Sequence, residues 1–154
     1  MVKTLLEELS KRNLTLSSAE SLTGGLFAST LVDQSGISKV FKGGIVTYWS
    51  EIKNHVLHVD EEIISKFGVV SKECAYAMAE NCREMFSTSI SVSFTGNAGP
   101  EILENKPVGE VFIAVNYLGD IKVYECHFLG SRLEIRKASV DFGIKKIIDL
   151  FEEK

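Results

Sequence analysis

The chain has 154 residues, 45% hydrophobic and 25% charged, with a net charge of −4. That length supports one domain with a real core, and the acidic balance excludes the basic surface that a nucleic-acid binder presents. Residues 1–10 hold acidic side chains and no long apolar run, so they read neither as a signal peptide nor as a membrane span. Cys74, Cys82 and Cys126 form no C-x-x-C pair, which fits reduced thiols in the cytoplasm.

In chain order, residues 2–11 read as an amphipathic helix carrying Leu5, Leu6 and Leu9. Leu14 and Leu16 alternate with Asn13 and Thr15 as a short strand, which runs into S-S-A-E-S-L-T-G-G at 17–25. Leu26 to Val32 is a helix, and Gly36 lies in the loop after it. Gly43-Gly44 precedes a second strand over 45–49, rich in β-branched and aromatic residues and carrying Tyr48 near its end. Ser50 caps a short helix to about His58, and Asp60 caps another that stops near Gly68.

Ser71 opens the longest clear helix, to about Phe86, with Ala75, Met78, Ala79, Cys82 and Met85 on one side. Cys74 and Cys82 are small apolar fillers there. Ile90, Val92 and Phe94 alternate with serines in a strand that delivers T-G-N-A-G-P at 95–100. Strands over 111–115 and 121–128 flank the turn at Leu118-Gly119-Asp120. Ser131 and Glu134 have capping-box spacing and start the last helix, with Gly143 as its weak point. The alternation of helices and strands predicts a layered α/β domain, and the hairpin makes its sheet mixed.

Two strands therefore end in turns rich in Gly and Ser or Thr, at 17–25 and 95–100. Open α/β sheets bind ligands at the carboxyl ends of their strands. Unpaired N–H groups around Thr23, Gly24 and Gly25 attract anions, although a plain helix cap explains the same residues. Ser21 immediately precedes that helix, where a nucleophile has oxyanion-stabilising amides beside it. It needs a base. His55, His58 and His127 lie in no triad motif, and the i, i+3 pair His55/His58 lacks a third metal ligand. Lys53, five positions after Tyr48, is the other available base, because serine–lysine pairs replace the histidine triad elsewhere. A core tyrosine and a surface lysine fit that spacing equally.

The segments S-A-E-S-L-T-G-G (18–25), F-K-G-G-I-V-T-Y (41–48), E-I-K (51–53), G-V-V-S (68–71), T-G-N-A-G-P (95–100), K-P-V-G (106–109) and G-S-R (130–132) follow one another in order. Together they resemble the CinA C-terminal domain family, the nicotinamide-nucleotide amidases, over about residues 5–150. The resemblance implies one three-layer α/β/α domain over 1–154 with a mixed, mostly parallel sheet. It implies hydrolysis of the carboxamide of nicotinamide mononucleotide to nicotinic acid mononucleotide and ammonia, without metal or cofactor.

By motif, Ser21 is then the nucleophile, assisted by Tyr48 and Lys53. Thr23, Gly24, Gly25, Thr95, Gly96, Ala98 and Gly99 belong to the nucleotide site, and Arg132 is the candidate for the phosphate. Glu20 either orients Lys53 or caps backbone groups. Which glycine loop takes the phosphate stays open. Family members assemble, so a homodimer or higher homo-oligomer is expected, with a small nucleotide as ligand. The family pattern differs at Leu22, Trp49, Ser50, Asn97 and 101–105, which leaves substrate choice and turnover open, the alternatives being a non-catalytic nucleotide-binding module of the same fold and an amidase for another small substrate.

Overall fold

The computed structural model describes residues 1–152. Six helices, α1 (Val2–Lys11), α2 (Leu26–Val32), α3 (Ser50–His55), α4 (Glu61–Phe67), α5 (Lys72–Phe86) and α6 (Arg132–Asp149), flank five strands. The strands are β1 (Leu16–Glu20), β2 (Phe41–Val46), β3 (Ile90–Gly96), β4 (Glu110–Tyr117) and β5 (Asp120–His127), in the sheet order β2-β1-β3-β4-β5. β1 pairs in parallel with both β2 and β3, while β3–β4 and β4–β5 pair antiparallel. Only β4 therefore opposes the other four strands, so the sheet is mixed and mostly parallel.

Two apolar clusters lie on opposite faces of this sheet. Leu5, Leu9, Phe27, Leu31, Ile144 and Ile147 from α1, α2 and α6 cover Leu16, Val92, Phe94 and Ile113 on one face. On the other, Ala75, Met78, Ala79 and Cys82 of α5 cover Ala19, Phe112 and Ala114. Two helical layers around a sheet are the three-layer α/β/α arrangement. The α2 crossover from β1 leads outward to β2, and α5 then returns the chain to β3 on the other side of β1. The carboxyl end of β1 is thus a topological switch point, where open α/β sheets hold their ligands.

The strand boundaries correct the sequence reading. β1 is not the Leu14–Leu16 alternation but the polar run Leu16–Glu20 itself, and all five residues are buried. Serines tolerate this burial because a neighbour satisfies each hydroxyl that faces α5. Ser17 bonds Thr88 Oγ1 at 2.7 Å, and in β3 Ser91 and Ser93 donate to the Ala79 and Ala75 carbonyls at 2.5 and 2.7 Å. Their small size lets α5 approach closely, alanine against serine. β2 likewise spans Phe41–Val46, with Gly43 and Gly44 inside the ladder opposite Ser17 and Ser18. Tyr48 and Trp49 therefore lie in the loop beyond β2, not at the end of a strand. α3 ends at His55 and not near His58, which has φ 62°. Met85 is 41% exposed instead of sharing the apolar side of α5.

The capping box at Ser131 and Glu134 is present. Gly143 is the reverse of a weak point. It is buried where α6 meets the sheet, and a Cβ there would stand 2.6 Å from Phe94 Cζ. Glycine at this position sets the distance between α6 and β3. Gly143→Ala is expected to lower stability by about 1–2 kcal/mol, overpacking the Phe94 ring by more than the improved helix propensity returns. A urea midpoint lowered without a change in slope would check this.

Candidate active site

The ends of β1 and β3 are tied together where Ser21 N–H donates to the Phe94 carbonyl at 2.9 Å. On the other side, Thr47 N–H donates to the Glu20 carbonyl at 2.8 Å. These bonds carry the sheet one residue past its strands and deliver Ser21 and Thr47 side by side. After Ser21 the chain reverses through Gly24 (φ 55°) and Gly25 (φ 98°), left-handed values that glycine adopts without strain. Gly24 N–H closes the turn on the Ser21 carbonyl at 3.0 Å, and α2 begins.

Lys53 comes from α3, which starts directly after the β2 loop. Its side chain is completely buried (0% exposed), which is exceptional for lysine. Nζ lies 3.0 Å from Ser21 Oγ, 2.7 Å from the Thr47 carbonyl and 3.0 Å from the Tyr48 carbonyl. The two carbonyls can only accept, so each takes one N–H. In the neutral amine the remaining tetrahedral direction is the lone pair, and it faces the Ser21 hydroxyl. Burial pulls the amine down to about 8, against a smaller upward pull from the Glu104 carboxylate. Burial also raises the Cys74 thiol to about 12, so that neighbour supplies no thiolate near neutral pH.

A cavity of about 410 Å³ opens on this pair. Ser21, Leu22, Tyr48, Trp49, Lys53, Thr95, Asn97 and Arg132 contribute to its wall. A second concavity of about 290 Å³ shares Tyr48, Asn97, Leu103 and Arg132 with it and extends over Gly99, Pro100 and Ile102. A larger concavity of about 530 Å³ sits at the opposite end of the strands, near the start of β3, lined by Glu80, Arg83, Thr88 and Asn116 among others. It holds no such pairing of nucleophile and base.

Several residues occupy places other than those expected. The Tyr48 hydroxyl takes a hydrogen bond from Arg132 Nη2 at 3.0 Å, while it is the Tyr48 carbonyl that holds Lys53. Arg132 also donates to the Gly99 carbonyl, so its guanidinium spans the cavity mouth. Glu20 is buried and does not touch Lys53. Its carboxylate accepts from the N–H groups of Phe27 and Ala28 at 2.9 and 3.2 Å, capping α2 from inside. Thr23 is fully buried with its hydroxyl unpaired, and neither it nor Gly24 nor Gly25 lines the cavity. That turn shapes the backbone and does not form a wall.

Thr95, Gly96 and Ala98 do line the cavity, and Gly99 lines the adjoining concavity. The Thr95 hydroxyl is used internally, donating to the Val69 carbonyl at 2.6 Å. A Cβ on Gly96 would lie 2.7 Å from the Glu110 carbonyl oxygen, so the approach of β4 accounts for that glycine. Neither His55 nor His58 belongs to a donor cluster. The one grouping found among the described residues is Glu110, Glu125 and His127 on β4 and β5.

Other contributors carried no local signal. The Thr47 carbonyl, fixed by the β1–β2 pairing, is one. Another is Glu104, whose carboxylate accepts from the N–H groups of Val69 and Val70 at 3.0 and 2.9 Å and secures the 101–106 loop beside the cavity. A third is Arg136, one turn beyond Arg132 on a helix already marked by its capping box.

The CinA C-terminal domain model matches residues 1–151. The chain belongs to the CinA C-terminal domain family. It is 44% identical over 154 residues to a Bacillus subtilis protein provisionally named competence-damage inducible protein, covering all of this chain and 37% of that one. A similarly named protein of Bacillus cereus (strain AH187) is 45% identical over 149 residues, covering 96% of this chain and 36% of that one. The CinA-type chain thus spans a little over a third of the length of these curated relatives.

Two solved structures share the fold. Competence damage-inducible protein A (ComA) of Klebsiella pneumoniae superposes with a TM-score of 0.96 at 27% identity, over 99% of this chain and 95% of that one. Competence/damage inducible protein CihA of Agrobacterium tumefaciens gives 0.93 at 34% identity, over 97% and 92%. No helix among the described residues of this CinA domain is long and apolar enough to cross a membrane.

Proposed function

We propose that this CinA domain is a serine amidase that hydrolyses the carboxamide of nicotinamide mononucleotide to nicotinic acid mononucleotide and ammonia. The observation that carries the reading is the buried Lys53 amine, held by two carbonyls and aimed at Ser21 Oγ from 3.0 Å. A nucleophile within hydrogen-bond reach of a base, itself oriented by further groups, is the arrangement that covalent catalysis needs. The choice of substrate comes from the family resemblance.

Neutral Lys53 takes the Ser21 proton as Oγ bonds to the amide carbon, and the carbonyl oxygen becomes an oxyanion. The N–H group of Leu22, a residue of the cavity wall, donates to no group among the described residues and is available to hold that charge. The Lys53 ammonium returns its proton to the leaving nitrogen, ammonia departs, and an ester remains on Ser21. Lys53, neutral again, deprotonates a water that attacks the ester, and then reprotonates Ser21 Oγ as the acid leaves. Tyr48 and Arg132 act on binding, with the guanidinium placed at the cavity mouth to meet a phosphate. The combined concavities suit a nucleotide, with the base and amide inward and the phosphate outward.

Trp49, 69% exposed on the cavity rim, and Asn97 on its wall favour a second reading in which another small amide is the substrate. Incubating the protein with nicotinamide mononucleotide, its riboside and free nicotinamide tests both readings. Ammonia with stoichiometric nicotinic acid mononucleotide is expected from the nucleotide, and far less release from the two compounds that lack phosphate. Release from the riboside equal to that from the nucleotide would remove the phosphate from the account.

A further inference from the structure

Arg136 stands outside the chemistry described above yet grips the nucleophile turn. Its Nε donates to the Leu22 carbonyl and its Nη2 to the Thr23 carbonyl, both at 2.9 Å. Leu22 and Thr23 are the two residues that follow Ser21. A fork on two consecutive carbonyls fixes two consecutive peptide planes. In a trans peptide the C=O of one residue and the N–H of the next point in opposite directions. Drawing the Leu22 carbonyl toward α6 therefore turns the Thr23 N–H away from α6, and drawing the Thr23 carbonyl likewise aims the Gly24 N–H.

That Gly24 N–H meets the Ser21 carbonyl at 3.0 Å, which in turn directs the Leu22 N–H to the opposite side. The outcome is a run of backbone in which Leu22 and Thr23 keep their N–H groups unpaired. The Leu26 N–H shares the Thr23 carbonyl at 2.8 Å, so the Leu22 carbonyl is the one that Arg136 holds without backbone help. Gly24 and Gly25 impose no preference of their own, and the Thr23 hydroxyl makes no hydrogen bond that would hold the loop. No carboxylate among the described residues lies within ion-pair distance of Arg136. Its guanidinium is left to the turn, on the side opposite the cavity where the oxyanion develops.

We infer that Arg136 is a positioning residue, which through its fork on the Leu22 and Thr23 carbonyls holds the turn after Ser21 so that the Leu22 N–H, on the cavity wall, faces the oxyanion. The inference rests on the amidase reading. Arg132 and Arg136, one helical turn apart, then divide the work of α6, the first at the cavity mouth and the second behind the nucleophile.

The test uses Arg136→Ala and Arg136→Lys in the full chain, with two readouts. One is hydrolysis of nicotinamide mononucleotide. The other is the rate at which a fluorophosphonate labels Ser21, which needs an activated serine and an oxyanion site but no particular substrate. For Arg136→Ala we expect kcat and the labelling rate to fall together by roughly tenfold to a hundredfold, less than loss of a direct donor. KM should stay within about twofold, and the pH at which activity rises should not move, because Lys53 is untouched. Added guanidinium should restore part of the rate. Lysine, a point donor without the planar fork, should recover only part of it.

Either variant, folded by circular dichroism, labelling and turning over like the wild type would overturn the inference. If Arg136→Ala does not fold, the lysine variant decides by the same criterion. A wild-type protein that is labelled but releases no ammonia would defeat the proposed substrate and leave Arg136 to the labelling assay. A wild type that is neither labelled nor active would defeat both.

Discussion

Lys53→Met is expected to cut ammonia release by at least about 10³-fold, as much as Ser21→Ala, and the double variant to lose little more. The two side chains form one proton-passing unit, so removing either removes the function of both. Methionine fills the buried volume without a lone pair. Lys53→Arg sharpens the test, because arginine keeps a cation and its donors but does not deprotonate in proteins. It should be as inactive as methionine, measured as kcat on protein whose far-UV spectrum matches the wild type. Losses that multiply in the double variant would show that the serine and the amine act separately.

The pH dependence follows from the same burial and has two faces. Only the neutral amine accepts the Ser21 proton, so kcat/KM should climb with pH, about tenfold per unit, and level off above an apparent pKa near 8. Glu104 is one of the groups pulling that value upward, so Glu104→Gln should move the limb to lower pH while its remaining carbonyl keeps one backbone N–H bond.

The second face is stability. The amine falls from 10.5 to about 8 on folding, so between those values the unfolded chain binds more protons. Stability contributed by this group therefore rises with pH across that window, by about 3 kcal/mol in all, and is flat below 8. The difference in unfolding free energy between the wild type and Lys53→Met, measured from pH 7 to 11, should show that rise. A difference independent of pH would mean that the amine is not held down in the fold.

Helical elements were the most legible part of the sequence. Ser71, Asp60 and Ser131 each cap the helix that their spacing announces, and each accepts a backbone N–H from that helix. The strands were less legible because their burial depends on distant partners. Ser17, Ser91 and Ser93 look like surface residues until α5 supplies carbonyls and a thiol for them, and no local pattern encodes that.

The site divides in the same way. Ser21 and Lys53 were named from a turn and a spacing, but the complete burial of Lys53 depends on how the β2 loop, α3 and α5 pack around it. Glu20 admitted two roles, and the nearness of α2 to the end of β1 selects capping. Tyr48 was named for its hydroxyl, whereas its carbonyl is what touches the base. A backbone atom has no signature in a side-chain pattern. Arg136 acts on backbone 113 or 114 residues away and Glu104 on backbone 34 or 35 residues away, and so neither had a local motif at all.

Ammonia release from nicotinamide mononucleotide, followed side by side for the wild type and Ser21→Ala near pH 8.5, tests the central claim most directly. The account predicts steady release by the wild type with nicotinic acid mononucleotide as co-product, and a fall of at least about 10³-fold when the hydroxyl is removed. Equal release by both proteins, or none from the wild type, would contradict it.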